Sequence, residues 1–133
     1  MAATVKEMLA AANQAVPRLS PDQAKTKLKE PGVVIVDVRD GTEVAKSGKL
    51  KGALNISRGM LEFNADPESP YHKDVFASGK EFVFYCNGAW RSALAADVAQ
   101  QMGLPRVVEM EGGFTAWKNA GLPVAERTKK PAS

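Results

Sequence analysis

The chain has 133 residues, of which 44% are hydrophobic and 25% charged, so its composition is typical of one globular domain and argues against wholesale disorder. Its 18 basic and 15 acidic side chains give a net charge of +3, and few aromatic residues lie among the lysines, so the sequence predicts no nucleic-acid partner. With one cysteine and one histidine, the chain cannot form an internal disulfide, and we expect it to bind no metal ion.

The N-terminal sequence gives no sign of export or of membrane contact. It lacks the basic start of a signal peptide, and Lys6 and Glu7 interrupt its apolar residues. No stretch approaches the ~18 consecutive apolar residues that a membrane-spanning helix needs. We therefore expect a cytoplasmic protein with a reduced thiol and no membrane partner.

Apolar residues at helical spacing predict an amphipathic helix over residues 4–15. We expect this helix to form an N-terminal segment, residues 1–16, that packs on the domain or on a partner. The domain itself would comprise residues 17–125, and residues 126–133 would form a frayed tail.

Strand and helix patterns alternate through the predicted domain. The β-branched run over residues 33–36 is apolar on both faces, which is typical of a buried strand in a parallel sheet. Ser20 and Gln23 have the spacing of a capping box and predict a helix start. This alternation predicts an α/β domain with a parallel sheet. The predicted strands lie at Leu19 and over residues 33–36, 53–56, 81–85 and 106–110, and the predicted helices follow Ser20, residue 41, residue 90 and Gly113.

The segment from Cys86 to Ser92 has the pattern of a strand end, a tight loop and a helix start. In open α/β sheets, ligands bind at the carboxyl ends of the strands. The unpaired N–H groups and the positive dipole end of a helix start would stabilise a cysteine thiolate there. Gly88 permits a positive φ angle and a close backbone approach, and Asn87 tolerates the left-handed region, so a loop of this kind can turn its amides inward as an anion-binding nest. The alternative is that Cys86 is a buried core residue.

The same segment carries a resemblance to a known family. Cys86-x4-Arg91-Ser92-Ala93 resembles the active-site loop and the following helix of the rhodanese family. The resemblance runs from about residue 19 to residue 124 and implies a small α/β domain with a central, mainly parallel five-stranded sheet and helices on both sides. Three further segments match that family in order: Asp37-Val38-Arg39 with Glu43, Gly52-Ala53-Leu54-Asn55-Ile56, and Gly112-Gly113-Phe114-x-x-Trp117 followed by Gly121-Leu122-Pro123-Val124.

The resemblance also implies a sulfurtransferase. Cys86 would be the nucleophile that takes sulfane sulfur from a small anionic donor such as thiosulfate and becomes a persulfide. It would then pass the sulfur to cyanide or to a thiol, and that thiol could belong to another protein. The resemblance implies no metal or organic cofactor.

The resemblance assigns roles to the residues of the loop. The Arg91 side chain would hold the anionic donor or brace the loop, and Ser92 would cap the helix and donate a hydrogen bond to the sulfur. Trp90 would form an apolar wall at the mouth of the site or pack against the sheet edge. The backbone amides that would stabilise the thiolate and the persulfide belong to Asn87, Gly88, Ala89, Trp90 and Arg91.

Four charged residues outside the loop are further candidates. Arg58 follows a predicted strand and is a second candidate for donor binding. Asp37, Arg39 and Glu43 are expected to support the structure through an ion pair or a hydrogen-bond network, in which Arg39 would pair with Glu43.

Other functions use a cysteine in a similar loop. Cysteine phosphatases and some arsenate reductases use Cys-x5-Arg, whereas four residues separate Cys86 from Arg91, and the tighter loop favours attack on sulfur. A rhodanese-like interaction or sulfur-carrier module with little thiosulfate activity would use its surface to bind a protein. A catalytic Cys–His pair would require the lone histidine, His72, within hydrogen-bond reach of Cys86.

Overall fold

A computed structural model describes residues 2–126 of the protein and shows them arranged around one five-stranded β-sheet. Its strands are β1 (Arg18–Leu19), β2 (Val33–Asp37), β3 (Leu54–Asn55), β4 (Glu81–Tyr85) and β5 (Val107–Met110). They lie in the order β1-β5-β4-β2-β3, and every ladder between neighbouring strands is parallel. The predicted α/β class with a mainly parallel five-stranded sheet is confirmed.

Six α-helices and two 3₁₀ turns accompany the strands in the described part of the chain. No helix within residues 2–126 is long and apolar enough to cross a membrane. The division of the chain at residues 16 and 125 stays a prediction, and residues 127–133 of the predicted tail lie outside the described residues. The helices are α1 (Val5–Ala15), α2 (Pro21–Lys27), α3 (Gly41–Ser47), α4 (Leu61–Ala65), α5 (Trp90–Gln101) and α6 (Gly113–Asn119), and the 3₁₀ turns are Arg58–Met60 and Asp74–Ala77.

Capping boxes set the starts of α1 and α2. Thr4 Oγ1 accepts a hydrogen bond from the Glu7 N–H at 3.1 Å, and the Glu7 carboxylate accepts one from the Thr4 N–H at 3.3 Å. Ser20 Oγ accepts from the Gln23 N–H at 3.2 Å, and Gln23 Oε1 accepts from the Ser20 N–H at 2.9 Å. Each box satisfies donors that have no partner within the helix, so the helix start predicted at Ser20 is confirmed.

Helices cover both faces of the sheet, and each face has its own hydrophobic core. On one face, Phe82 and Phe84 of β4 pack among apolar side chains of α4 and α5. On the other face, Val83 and Tyr85 pack with Phe114 and with other apolar side chains of α2 and α6. Because successive strand residues point to opposite faces, two covered faces require continuously apolar strands. Because β4 is the central strand, its carboxyl end, where the cysteine loop begins, lies in the middle of the row of carboxyl strand ends.

A buried ion pair lies where β2 ends. Arg39 Nη2 lies 2.7 Å from Asp37 Oδ2, and the guanidinium also donates to Ser47 Oγ at 2.9 Å and to the Gly48 carbonyl at 2.7 Å. Burial opposes the charge of Arg39, but the Asp37 carboxylate raises the pKa of Arg39 above its usual value. The predicted pairing of Arg39 with Glu43 is wrong, because the guanidinium turns back onto Asp37. Asp37 and Arg39 form a structural ion pair, as the sequence predicted.

Replacing Arg39 with Met tests whether this pair holds the end of β2. The variant leaves the Asp37 carboxylate buried without its partner, so we expect the free energy of unfolding, measured by urea denaturation, to fall by about 3–5 kcal/mol. The double variant Asp37→Asn/Arg39→Met removes the stranded charge and should regain part of that loss. An Arg39→Met protein as stable as the wild type would show that the pair contributes nothing to the fold.

Candidate active site

The loop that follows β4 borders a cavity of about 340 Å³. Cys86 opens the loop and is only 2% exposed, whereas Trp90 at the other end of the loop is 74% exposed. The cysteine therefore lies deep in the cavity wall, and Trp90 stands at the mouth rather than packed against the sheet edge. The residues that line the cavity are Cys86, Gly88, Ala89, Trp90 and Arg91.

The start of α5 supplies hydrogen-bond donors to this cavity. Ala89 is the N-cap of α5, so no side chain accepts a hydrogen bond from the first turn of the helix. Within residues 2–126, the N–H groups of residues 87–91 find no protein acceptor. Unpaired N–H groups at a helix start carry partial positive charge, and here they lie next to a sulfur atom. The loop can therefore stabilise an anion without a cationic side chain.

The start of α6 holds the cysteine loop from the opposite side. The Phe114 N–H donates to the Cys86 carbonyl at 2.7 Å, and the Thr115 N–H donates to the Asn87 carbonyl at 3.0 Å. A Cβ atom at Gly113 would collide with the carbonyl oxygens of Cys86 and Gly88. Only glycine lets the two backbone segments approach this closely, and the hydrogen bonds then fix the carbonyls of the loop on the α6 side.

Asn87 and Gly88 do not adopt the positive φ angles that their residue types permit. No non-glycine residue within residues 2–126 has a positive φ, and Gly88 is not one of the glycines that do. Positive φ occurs instead at Gly112 (72°) and Gly113 (60°). The backbone of the loop approaches α6 most closely at Gly113, and the sharp turn lies at Gly112 and Gly113. A Cβ at Gly88 would meet open space.

Arg91 braces the loop against α3. Its Nη1 and Nη2 atoms donate to the two carboxylate oxygens of Glu43 at 2.7 and 2.9 Å, which is a bidentate pair. The hydrogen bond from Arg91 lowers the pKa of Glu43 to about 2. Glu43 also accepts a hydrogen bond from the Asp40 N–H at 2.9 Å and so fixes the start of α3. The Arg91 side chain therefore braces the loop through Glu43. Binding of a sulfur donor by this side chain stays a prediction.

Behind the sulfur lies a buried polar chain. The Cys86 thiol donates to Ser92 Oγ at 3.4 Å, and Ser92 Oγ donates to Glu109 Oε2 at 2.7 Å. Burial raises the pKa of Glu109 to about 7. The predicted cap role of Ser92 is wrong, because Ala89 caps the helix. Donation from Ser92 to the sulfur stays a prediction, since the hydroxyl hydrogen is directed to Glu109 while Cys86 is a protonated thiol. Glu109 was not among the residues predicted from the sequence, although a lone acidic residue inside the otherwise apolar strand β5 could have indicated it.

Two other candidates lie outside the cavity that Cys86 lines. Arg58 Nη1 lies 2.7 Å from Glu62 Oε1, one helical turn away, and the structure does not bring Arg58 to the loop. His72 lies 3.8 Å from the exposed side chain of Asp74 and lines a different cavity. The sulfur of Cys86 therefore has a serine and not a histidine as its hydrogen-bonding neighbour.

Replacing Gly113 with Ala tests the contact between α6 and the loop, and Gly121→Ala is the matched control. Both glycines have positive φ, but a Cβ at Gly121 would meet open space. We expect Gly121→Ala to cost about 1 kcal/mol of stability and Gly113→Ala to cost more and to change the reaction rate of the Cys86 thiol with iodoacetamide. Equal stability and equal thiol reactivity in the two variants would show that the close approach at Gly113 does not shape the cysteine loop.

Comparison with known proteins identifies the family. Residues 20–120 match the family model of the rhodanese-like domain. A sulfurtransferase from Allochromatium vinosum is 33% identical over 92 residues, which cover 69% of this chain and 78% of the relative. The solved structure of the polysulfide-sulfur transferase homodimer from Wolinella succinogenes is 32% identical, with a TM-score of 0.69, and covers 92% of this chain and 88% of that chain.

A further solved structure is 48% identical, with a TM-score of 0.88, and covers 93% of this chain and 96% of that chain. It is a protein of unknown function from Rhodopseudomonas palustris, described as a possible tyrosine phosphatase. Some relatives are longer, since the match spans 65% of an uncharacterized Synechocystis protein and 28% of a tRNA uridine(34) hydroxylase from Ralstonia nicotianae. The family model, the parallel sheet and the sulfurtransferase relatives agree, and the chain belongs to the rhodanese-like domain family.

Proposed function

We propose that this protein is a sulfurtransferase that carries sulfane sulfur on Cys86 between a small anionic donor and a thiophilic acceptor. The observation that carries the proposal is the position of Cys86 in the wall of a cavity whose loop amides have no protein acceptor. A persulfide is an anion with its charge on the outer sulfur, and such amides are suited to stabilise it. The sulfurtransferases among the relatives support the same class of reaction.

With thiosulfate as donor, the reaction takes two displacement steps. The Cys86 thiolate attacks the outer sulfur of thiosulfate, a bond forms between Sγ and that sulfur, the S–S bond of the donor breaks, and sulfite leaves. Cyanide or a thiolate then attacks the outer sulfur of the persulfide, the bond to Sγ breaks, and the Cys86 thiolate is regenerated. The covalent intermediate divides one transfer into two steps and requires no external oxidant or reductant.

The charges around the cavity bear on the choice of donor. Arg91 is the charged residue among those that line the cavity, and its bidentate pair with Glu43 offsets its charge. Mainly the loop amides are then available to attract a small dianion. Because they carry only partial charges, we expect the affinity for thiosulfate to be weak. The exposed Trp90 offers an apolar surface at the mouth that suits a bulkier donor or a protein-borne thiol as acceptor.

The same geometry argues against a phosphatase reaction. A cysteine phosphatase needs its loop arginine to bind two phosphate oxygens, and in this protein both terminal nitrogens of Arg91 bind Glu43. The loop also has one residue fewer between Cys86 and Arg91 than the phosphatase pattern. Sulfur transfer does not require an arginine that binds two oxygens, because the thiolate attacks one sulfur atom of the donor and the loop amides can bind the rest of it.

The proposal is tested by the rate of thiocyanate formation from thiosulfate and cyanide. We expect Cys86→Ser to reduce the rate to the uncatalysed value. Arg91→Ala leaves the Glu43 carboxylate unpaired near the loop and should raise the KM for thiosulfate about tenfold, whereas Glu43→Gln frees the guanidinium and should lower it. Arg58→Ala is the matched control, since Arg58 forms a similar ion pair outside the cavity. A Cys86→Ser protein with the wild-type rate would end the proposal.

A further inference from the structure

The chain of Cys86, Ser92 and Glu109 is shielded from solvent along its whole length. Each of the three residues is at most 2% exposed, and the distances along the chain are 3.4 and 2.7 Å. A serine hydroxyl has one hydrogen, and here that hydrogen is used toward Glu109. Ser92 therefore faces the sulfur with a lone pair, which favours the protonated thiol while Glu109 is ionised.

The surroundings of Glu109 do little to hold its negative charge. Arg18 of β1 has its Nε atom 4.0 Å from Glu109 Oε1, and its side chain is 36% exposed, so solvent screens this contact. Glu111 lies two residues away and its like charge opposes ionisation of Glu109, while Ser92 supplies the hydrogen bond. Burial outweighs the stabilising contacts and raises the pKa of Glu109 to about 7, a range in which a carboxylate can accept a thiol proton.

We propose that Glu109 is a positioning residue that takes up the Cys86 thiol proton through the Ser92 hydroxyl, so that cysteine and glutamate hold one proton between them. The S–H bond of Cys86 breaks and its proton goes to Ser92 Oγ, while the hydroxyl proton of Ser92 goes to Glu109 Oε2. The products are a thiolate, a serine hydroxyl that donates to it and a neutral carboxylic acid. The net charge of the three groups stays at −1, which avoids two negative charges in one buried cluster.

The proton transfer leaves a thiolate on Cys86, between the buried side chains of Ser92 and Glu109 and the cavity. The thiolate then has the Ser92 hydroxyl as a donor on its buried side, and the N–H groups of residues 87–91, which have no protein acceptor, belong to the loop that borders the cavity. The Arg91 guanidinium, which is paired with Glu43, can attract the thiolate by its charge but has no lone pair to accept the thiol proton. The use of the thiolate for sulfur transfer rests on the proposed function, whereas the proton sharing does not.

The test is the pH dependence of the alkylation of Cys86 by iodoacetamide, which reacts with the thiolate. Because the chain has one cysteine, the rate reports on Cys86 alone. Two groups that share a proton titrate as a pair, so we expect the wild-type rate to rise in two steps separated by a plateau. Glu109→Gln, which retains the shape of the side chain, should rise in one step. Glu111→Gln removes an exposed charge two residues away and should keep both steps.

Serine variants test the part that the bridging hydroxyl takes. Ser92→Ala removes this hydroxyl and should make alkylation about tenfold slower at neutral pH, because the thiolate loses a donor. Ser92→Thr restores the hydroxyl and should restore the rate, which covers the case in which the alanine variant folds poorly. Two unchanged steps in Glu109→Gln, or one step in the wild type, would overturn the inference. If the alkylation rate of the wild type rises in two steps with pH but the protein does not transfer sulfur, the proposed function is wrong and the proton sharing is still supported.

Discussion

At Gly113 two backbone segments approach so closely that no side chain fits between them. The N–H groups that follow Gly113 bind the carbonyls of Cys86 and Asn87, and those carbonyls are thereby held on the α6 side of the loop. The N–H groups of the loop have no protein acceptor within residues 2–126. The anion binding that we propose for these amides would thus depend on a steric constraint in a neighbouring helix as well as on the loop sequence.

Two ion pairs flank the contact between the start of α6 and the cysteine loop. The buried pair of Asp37 and Arg39 fixes the end of β2, and the Arg39 guanidinium lies over the ring of Phe114, 4.3 Å from its centre. The Arg91–Glu43 pair connects the first turn of α5 with α3. Both arginines are satisfied by carboxylates of the protein itself. The proposed attraction of the cavity to anions therefore depends on the backbone amides of the loop, and the proposed proton acceptor is the buried Glu109, which Ser92 connects to the sulfur.

Much of the fold could be predicted from local patterns, because its elements are set by local chemistry. The capping box at Ser20, the β-branched run of β2 and the turn after Cys86 each depend on residues within a few positions of one another. The electrostatics of the site could not be predicted in the same way. The Arg91–Glu43 pair joins residues 48 positions apart and the Ser92–Glu109 bond residues 17 apart, so only the tertiary fold brings them together. Gly88 permits a positive φ, but the residue at which the fold requires glycine is Gly113.

Intact-protein mass spectrometry can measure whether Cys86 accepts a sulfane sulfur atom. The protein would be incubated with thiosulfate or with an inorganic polysulfide, measured, and then treated with cyanide. We expect a gain in mass of one sulfur atom that cyanide removes and that Cys86→Ser does not acquire. No added sulfur from either donor, or an adduct that persists in Cys86→Ser, would contradict this expectation.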